Sequence, residues 1–161
     1  MNPDCGHDWA QRELGGASLG DRRLSQRLVI LASQLATAPS ASIPKACGPW
    51  SQSKAAYRFC ANDKVNEDDL LAPHYQSTKE RLREHPVVLA VQDTTQLDFT
   101  SHPQTTGLGI LSDPKHQGLF YHPTLLVSPE KTPLGLAHHL VWERHKEAFG
   151  KRHRRRRRLI A

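Results

Sequence analysis

Four leucines recur along residues 21–38 at the spacing of an amphipathic helix. They follow one another at intervals of four, three and four residues, which places them on one helix face: Leu24, Leu28, Leu31 and Leu35. Asp21 is a suitable N-cap, and Pro39 follows the last apolar turn. The pattern therefore predicts a helix from about Asp21 to Ala38.

Two shorter helical stretches follow. One is predicted near Ile43–Cys47, because Gly48 ends it. The other is predicted to begin after Ser51, a possible N-cap, and to end at Asn62-Asp63. It includes three residues with polar or charged ends: Lys54, Tyr57 and Arg58.

A longer helical stretch is predicted from Asn66 to about Glu84. Asn66 and Asp69 have the spacing of a capping box. Pro73 is expected to divide this stretch, because a proline inside a helix removes a hydrogen bond and clashes with the preceding turn.

The pattern changes to strands after Pro86. Residues 87–91 are continuously apolar and partly β-branched, which predicts a strand buried on both faces. Further strands are predicted at 119–127 and 134–142; Pro123 favours a bulge or an edge position for the first of these. The short connections favour an antiparallel meander. Helices followed by strands give an α+β fold class.

Charge is distributed unevenly along the chain. The net charge of +6 includes seven basic residues and no acidic ones within 151–161, so residues 1–150 have 15 basic and 16 acidic residues, a net −1. Residues 1–60 are at +3 and residues 61–150 at −4. We expect the tail, 151–161, to be disordered because its charges repel one another. Such a run could bind phosphates, act as a targeting signal or have no role.

Composition narrows the class of protein. No apolar run approaches the ~20 residues of a membrane span, and no signal peptide opens the chain, so we expect a cytoplasmic protein without a membrane partner. The three cysteines have no CxxC spacing and indicate free thiols in a reducing compartment. The ten histidines are scattered, and a structural zinc site is not expected.

Two groups of residues could provide chemistry. Asp93 follows the apolar strand, where an acidic side chain either caps the turn at Thr94-Thr95 or binds Mg²⁺. Asp98 is a poor partner for it, since five positions along a strand reverse the face. The first 60 residues also contain six cations and one tyrosine that either contact DNA phosphates or form a solvated helix face: Arg22, Arg23, Arg27, Lys45, Lys54, Arg58 and Tyr57.

In this order and spacing, several stretches resemble the N-terminal part of Tn-five-type transposases of the IS-four superfamily, a branch of the DDE transposases. The resemblance extends to about residue 150 and rests on Trp9, Leu19-Gly20-Asp21-Arg22-Arg23-Leu24 with Arg27-Leu28, Ala41-Ser42-Ile43-Pro44, Ala55-Ala56-Tyr57-Arg58-Phe59, Asp93-Thr94-Thr95 and Trp142.

The resemblance implies a domain organisation and roles for these residues. It implies a helical domain, 1–70, that binds transposon-end double-stranded DNA, and the first three antiparallel strands of an RNase H-like domain, 71–150. Asp93 falls on the family's first catalytic carboxylate, a Mg²⁺ ligand. The seven candidate residues of the first 60 fall within the end-binding domain, so phosphate contact becomes the favoured interpretation for the basic ones.

The departure from the family is that its second Asp and its Glu lie beyond the strands found here. One carboxylate cannot hold two metal ions, so no cleavage is expected and Mg²⁺ is not expected to bind functionally. We expect a truncated transposase that binds ends, with an exposed apolar sheet edge, and that could compete with full-length transposase. The alternatives are a catalytic subunit completed in trans or by frameshift, and a non-functional pseudogene product.

Overall fold

The computed structural model describes residues 3–145, with side chains described from Asp8 onward. Five helices precede five strands, which confirms the α+β class. The helices are α1 (Pro3–Leu14), α2 (Arg22–Thr37), α3 (Ile43–Cys47), α4 (Trp50–Cys60) and α5 (Glu67–Leu82). The strands are β1 (Leu89–Gln92), β2 (Thr95–Asp98), β3 (Gly109–Ile110), β4 (Gln117–Val127) and β5 (Pro133–Trp142).

The chain divides into two compact units. The first comprises Met1–Leu89 and Leu126–Leu136, and the second comprises Ala90–Leu125 and Ala137–Ala161. All five helices lie in the first unit. The sequence-based domains, 1–70 and 71–150, stay a prediction.

Helix α2 confirms the leucine pattern. Asp21 is its N-cap, and the carboxylate Oδ1 accepts a hydrogen bond from the Arg23 backbone N–H at 2.8 Å. Apolar burial then holds the helices of the first unit together, each large side chain contributing about 1.5–3 kcal/mol. The buried core consists of Leu14, Ala17, Leu19, Leu28, Leu31, Cys47, Ala56 and Phe59.

The other helices differ in part from the predictions. Helix α4 begins at Trp50 rather than after Ser51, because Pro49 is its N-cap and the Pro49 carbonyl accepts the first helical hydrogen bonds. Helix α5 runs through Pro73 without a break, so the predicted division at Pro73 is wrong. The predicted cap is confirmed, because the Asp69 backbone N–H donates to the Asn66 Oδ1 at 2.9 Å. The proline removes one backbone hydrogen bond and crowds the preceding turn. The Asn66 cap before it and the contacts of His74 and Arg81 with Glu13 after it stabilise the helix. Helix α1 was not predicted from the sequence.

All other strands of the sheet pair with β4. The pairing of β4 with β1 and β5 confirms the order of the three predicted strands. Strands β2 and β3 are additional and run antiparallel to β4, with Thr95 opposite Tyr121 and Gly109 opposite Gly118. Neither was predicted from the sequence, because each is too short to show alternation.

Two predictions about the strands are wrong. The strand predicted at 87–91 is β1, and all four of its residues are exposed instead of buried on both faces; Leu89 is 52% and Val91 50% exposed. The apolar run correctly indicated that these residues form a strand. It could not indicate burial, because burial depends on which other elements cover the strand. Pro123 lies within β4, which pairs with four other strands, so the edge position is wrong, while the alternative of a bulge at Pro123 stays a prediction. The predicted disordered tail, 151–161, lies outside the described residues.

Candidate nucleic-acid interface

Helix α2 presents two arginines on one face. Arg23 and Arg27 are four residues apart, so they lie on the same face of α2, about one helical turn from each other. The buried side of the helix, with Leu28 and Leu31, fixes the rotation of α2 about its axis. The arginines therefore form a row whose direction is set by the core.

Helix α4 presents a second row. Lys54 and Arg58 are also four residues apart, and both are exposed. The opposite side of α4 is buried through Ser53, Ala56 and Phe59. The same alternation of buried and exposed positions thus orients the cations of both helices.

The two rows line one groove of about 530 Å³. Its walls come from α2, α4 and the segment that follows α4: Arg23, Leu24, Arg27, Ser51, Lys54, Ala55, Arg58, Phe59 and Asn62. Four cations and two neutral polar side chains are therefore gathered over an apolar floor. Four of the seven candidate residues from the sequence meet here.

One hydrogen bond joins the walls of the groove. The Arg27 Nη1 donates to the Gln52 Oε1 at 2.6 Å, and both side chains are partly buried. Arg27 is thereby held in place while its charge is retained. A preorganised guanidinium loses less conformational entropy when it contacts an anion than a freely moving one.

The positive charge of the groove is not neutralised internally. Among residues 8–145, no carboxylate forms an ion pair with Arg23, Arg27, Lys54 or Arg58. Four cations in a concave surface raise the local positive potential and attract anions. A polyanion relieves their mutual repulsion, so the groove is suited to phosphate groups.

The other three candidate residues of the first 60 do not line the groove. Arg22 is exposed at the start of α2, and Lys45 is exposed on α3. Tyr57 is 49% exposed on α4, between the positions of Lys54 and Arg58.

Sequence reasoning missed the first residue of α4. Trp50 is 73% exposed and lies one turn before Lys54 on the same side of the helix. It was overlooked because the helix was predicted to begin after Ser51. Gln52, Ser51 and Asn62 were missed for another reason: neutral polar residues give no charge signal, and only the fold brings them to the groove.

Asp93 lies in the two-residue connection between β1 and β2. Its Oδ1 accepts a hydrogen bond from the Thr94 backbone N–H at 2.7 Å, which is the turn-capping contact considered from the sequence. Asp98 is engaged elsewhere: its Oδ2 accepts from His116 Nδ1 at 2.7 Å. Among the described residues, no three His, Cys, Asp or Glu side chains gather where they could hold a metal ion.

Comparison with known proteins connects the groove to a family. Residues 6–65 match the family model described as transposase DNA-binding. The matched segment contains both rows of cations and Trp50, and the match supports a transposase N-terminal region with a DNA-binding role. Within residues 3–145, no helix is long and apolar enough to span a membrane.

Proposed function

We propose that the groove between α2 and α4 binds the phosphate backbone of double-stranded DNA at transposon ends, as in a Tn-five-type transposase. One observation supports this most directly. Two rows of cations without carboxylate partners line a single groove inside the segment that matches the transposase DNA-binding model. Such a protein acts where the DNA is, in the bacterial cytoplasm.

The number of cations predicts how binding responds to salt. Each phosphate neutralised by Lys or Arg releases condensed counterions, so the logarithm of the affinity falls with the logarithm of salt concentration by about 0.9 per contact. Four groove cations that each contact one phosphate give a slope of about −3.6.

Fluorescence-anisotropy titration of duplex DNA at several salt concentrations tests the proposal. The double variant Arg23→Ala/Arg58→Ala is expected to weaken binding and to reduce the magnitude of the slope by about 1.8. The matched control, Lys79→Ala/Arg83→Ala, removes two exposed cations of α5. Equal effects of the two double variants would refute the groove as the binding site.

The sequence preference is tested separately. The unchanged protein is expected to bind a duplex with the transposon end more tightly than a shuffled duplex of the same composition, because base contacts distinguish sequences and phosphate contacts do not. Equal affinity at moderate salt would remove end recognition from the proposal. It would leave general DNA binding in place.

The strands are proposed as the beginning of an RNase H-like domain with Asp93 as its first carboxylate. The described residues do not fit a complete Mg²⁺ site, because Asp93 belongs to no group of three or more His, Cys, Asp or Glu side chains that could share an ion. We therefore propose that the part of the chain that the structure describes binds ends without cutting them and competes with full-length transposase for them. Nicking of end DNA by the purified chain with Mg²⁺ would overturn this.

A further inference from the structure

We propose that Trp50 contacts bases in the DNA major groove and favours thymine, while the cations of the α2–α4 groove hold the phosphates. This inference rests on the proposed function, since it requires that DNA lies against α4. It goes further by naming a residue that discriminates between bases and the group that it recognises.

The exposure of Trp50 is the first argument. Its side chain is 73% exposed, the most of any large hydrophobic residue among those described. Aromatic side chains with large apolar surfaces are normally covered by the core or by a partner. The core residues of α4 lie on the other side of the helix, so the rotation of α4 keeps Trp50 outside.

The position of Trp50 within the cation row is the second argument. Trp50, Lys54 and Tyr57 follow at intervals of four and three residues, which places all three on one side of α4. All three are exposed. DNA that reaches Lys54 from the groove therefore also reaches the side of α4 where Trp50 lies.

The turn before α4 is the third argument. Helices α3 and α4 are joined by Gly48 and Pro49, and Gly48 adopts φ +71°, which favours glycine. Helix-turn-helix DNA-binding units also join two helices by a short turn that often contains glycine; their turn has three or four residues, and the connection between α3 and α4 has two. In those units the N-terminal residues of the second helix contact base edges in the major groove. Trp50 is the first residue of α4.

The chemistry of the major groove indicates the base. Most groups that base pairs present there are hydrogen-bond donors or acceptors, and thymine adds a C5-methyl group. An indole ring is largely apolar, so its favourable contact is with that methyl group. Burying one methyl or methylene group contributes about 0.8 kcal/mol, which corresponds to about fourfold in affinity.

The experiment compares three duplexes of about 20 base pairs, two helical turns. One alternates adenine and thymine, one replaces thymine with uracil, and one alternates guanine and cytosine. Uracil keeps every hydrogen-bonding group and lacks only the methyl. The unchanged protein is expected to bind the thymine duplex about fourfold more tightly than the uracil duplex, and the variant Trp50→Ala is expected to bind both alike.

Two controls separate this inference from the proposed function. Trp9→Ala removes another exposed tryptophan, on α1 and outside the groove lining, and is expected to keep the thymine preference. The salt slope of Trp50→Ala is expected to match that of the unchanged protein, which also shows that the phosphate contacts and the fold persist.

Each outcome has a distinct meaning. Loss of the thymine preference in Trp50→Ala alone supports the inference. A preference that persists in Trp50→Ala, or is absent in the unchanged protein, overturns it while leaving phosphate binding by the groove intact. Failure of the proposed function is seen separately, as a salt slope that Arg23→Ala/Arg58→Ala does not change.

Discussion

Glu13 and Arg81 form a two-point ion pair that joins α1 to α5. The two carboxylate oxygens accept hydrogen bonds from Nη2 and Nη1 of the guanidinium at 2.8 and 3.0 Å. His74 Nδ1 also donates to Glu13 at 2.6 Å, while His74 Nε2 accepts from the Leu136 backbone N–H. Both contacts of the ring are satisfied by a neutral imidazole with its proton on Nδ1. The buried carboxylate is thus fully engaged.

The variant Glu13→Gln is expected to destabilise the first unit by about 3 kcal/mol at neutral pH, because Arg81 would be left without its charge partner. Urea unfolding followed by helical circular dichroism measures this, since all five helices lie in that unit. The control is Glu84→Gln, which changes an exposed carboxylate near the end of α5. An equal loss in both variants would contradict the special role of Glu13.

The same pair predicts a dependence on pH. Burial raises the pKa of the Glu13 carboxyl, but the hydrogen bonds from Arg81 and His74 and the positive charge of Arg81 outweigh burial, so the pKa lies below its ordinary value. A lowered pKa contributes stability above the ordinary carboxyl pKa, and this is lost as pH falls through the folded-state value. The difference in unfolding free energy between the unchanged protein and Glu13→Gln is therefore expected to shrink on acidification. A constant difference would contradict the assignment.

Gly135 is expected to tolerate no side chain. Its φ is +137°, and an added Cβ would lie 2.1 Å from the buried Thr78 Oγ1. Gly135→Ala is therefore expected to cost about 2–3 kcal/mol, from steric overlap and backbone strain together. Gly107→Ala is the matched control, because Gly107 has φ +74° with nothing within 4 Å of an added Cβ. It should show only the strain, about 1 kcal/mol, and equal losses would rule out the clash.

The helical part of the fold could be predicted where local signals agree. The leucine spacing and the Asp21 cap defined α2, and its flank gave Arg23 and Arg27. Lys54 and Arg58, the row on α4, were also predicted from the sequence, but the groove that the two rows share was not. That depends on packing between α2 and α4, which no local pattern contains. Trp50 was not considered as a candidate because the start of α4 was predicted two residues too late. The N-cap is Pro49 and not the expected Ser51.

The sheet was less predictable because strand signals depend on neighbours. The apolar residues of β1 predicted a strand correctly and burial incorrectly. The exposed apolar sheet edge expected from the family resemblance stays a prediction, and the structure shows an apolar surface at which Val87, Leu89 and Val91 are each at least half exposed. The tendency of that surface to associate stays a prediction. The capping contact of Asp93 with Thr94 was also considered from the sequence, whereas its metal role stays untested.

Asp98 is expected to remain ionised far into acid. Hydrogen bonds from Thr100, followed by the bond from His116, lower its pKa from 3.8 to about 2. The contribution of this group to stability is present above pH 3.8 and is lost as pH falls through about 2. An NMR titration of the Asp98 side-chain carboxyl should therefore have its midpoint near 2. Thr100→Val should move the midpoint upward, and an unchanged midpoint would contradict the assigned cause.

Gln52 is expected to act on DNA through Arg27. In Gln52→Ala the groove keeps its four cations but Arg27 loses its 2.6 Å hydrogen bond, so affinity should fall about threefold with an unchanged salt slope. In Gln52→Glu the new carboxylate pairs with Arg27, so affinity should fall further. The magnitude of the salt slope should decrease by about 0.9, because one phosphate contact is lost.

Gln76 provides the control for both Gln52 variants. It is an exposed glutamine of α5 that does not line the groove, so Gln76→Ala and Gln76→Glu change the same side chain and the same charge elsewhere. Neither should alter the slope by more than a fraction of one contact, because Gln76 lies outside the groove lining and its side chain bonds to Glu80 rather than to a groove cation. If Gln76→Glu reduces the magnitude of the salt slope as much as Gln52→Glu does, net charge rather than the Arg27 contact governs binding.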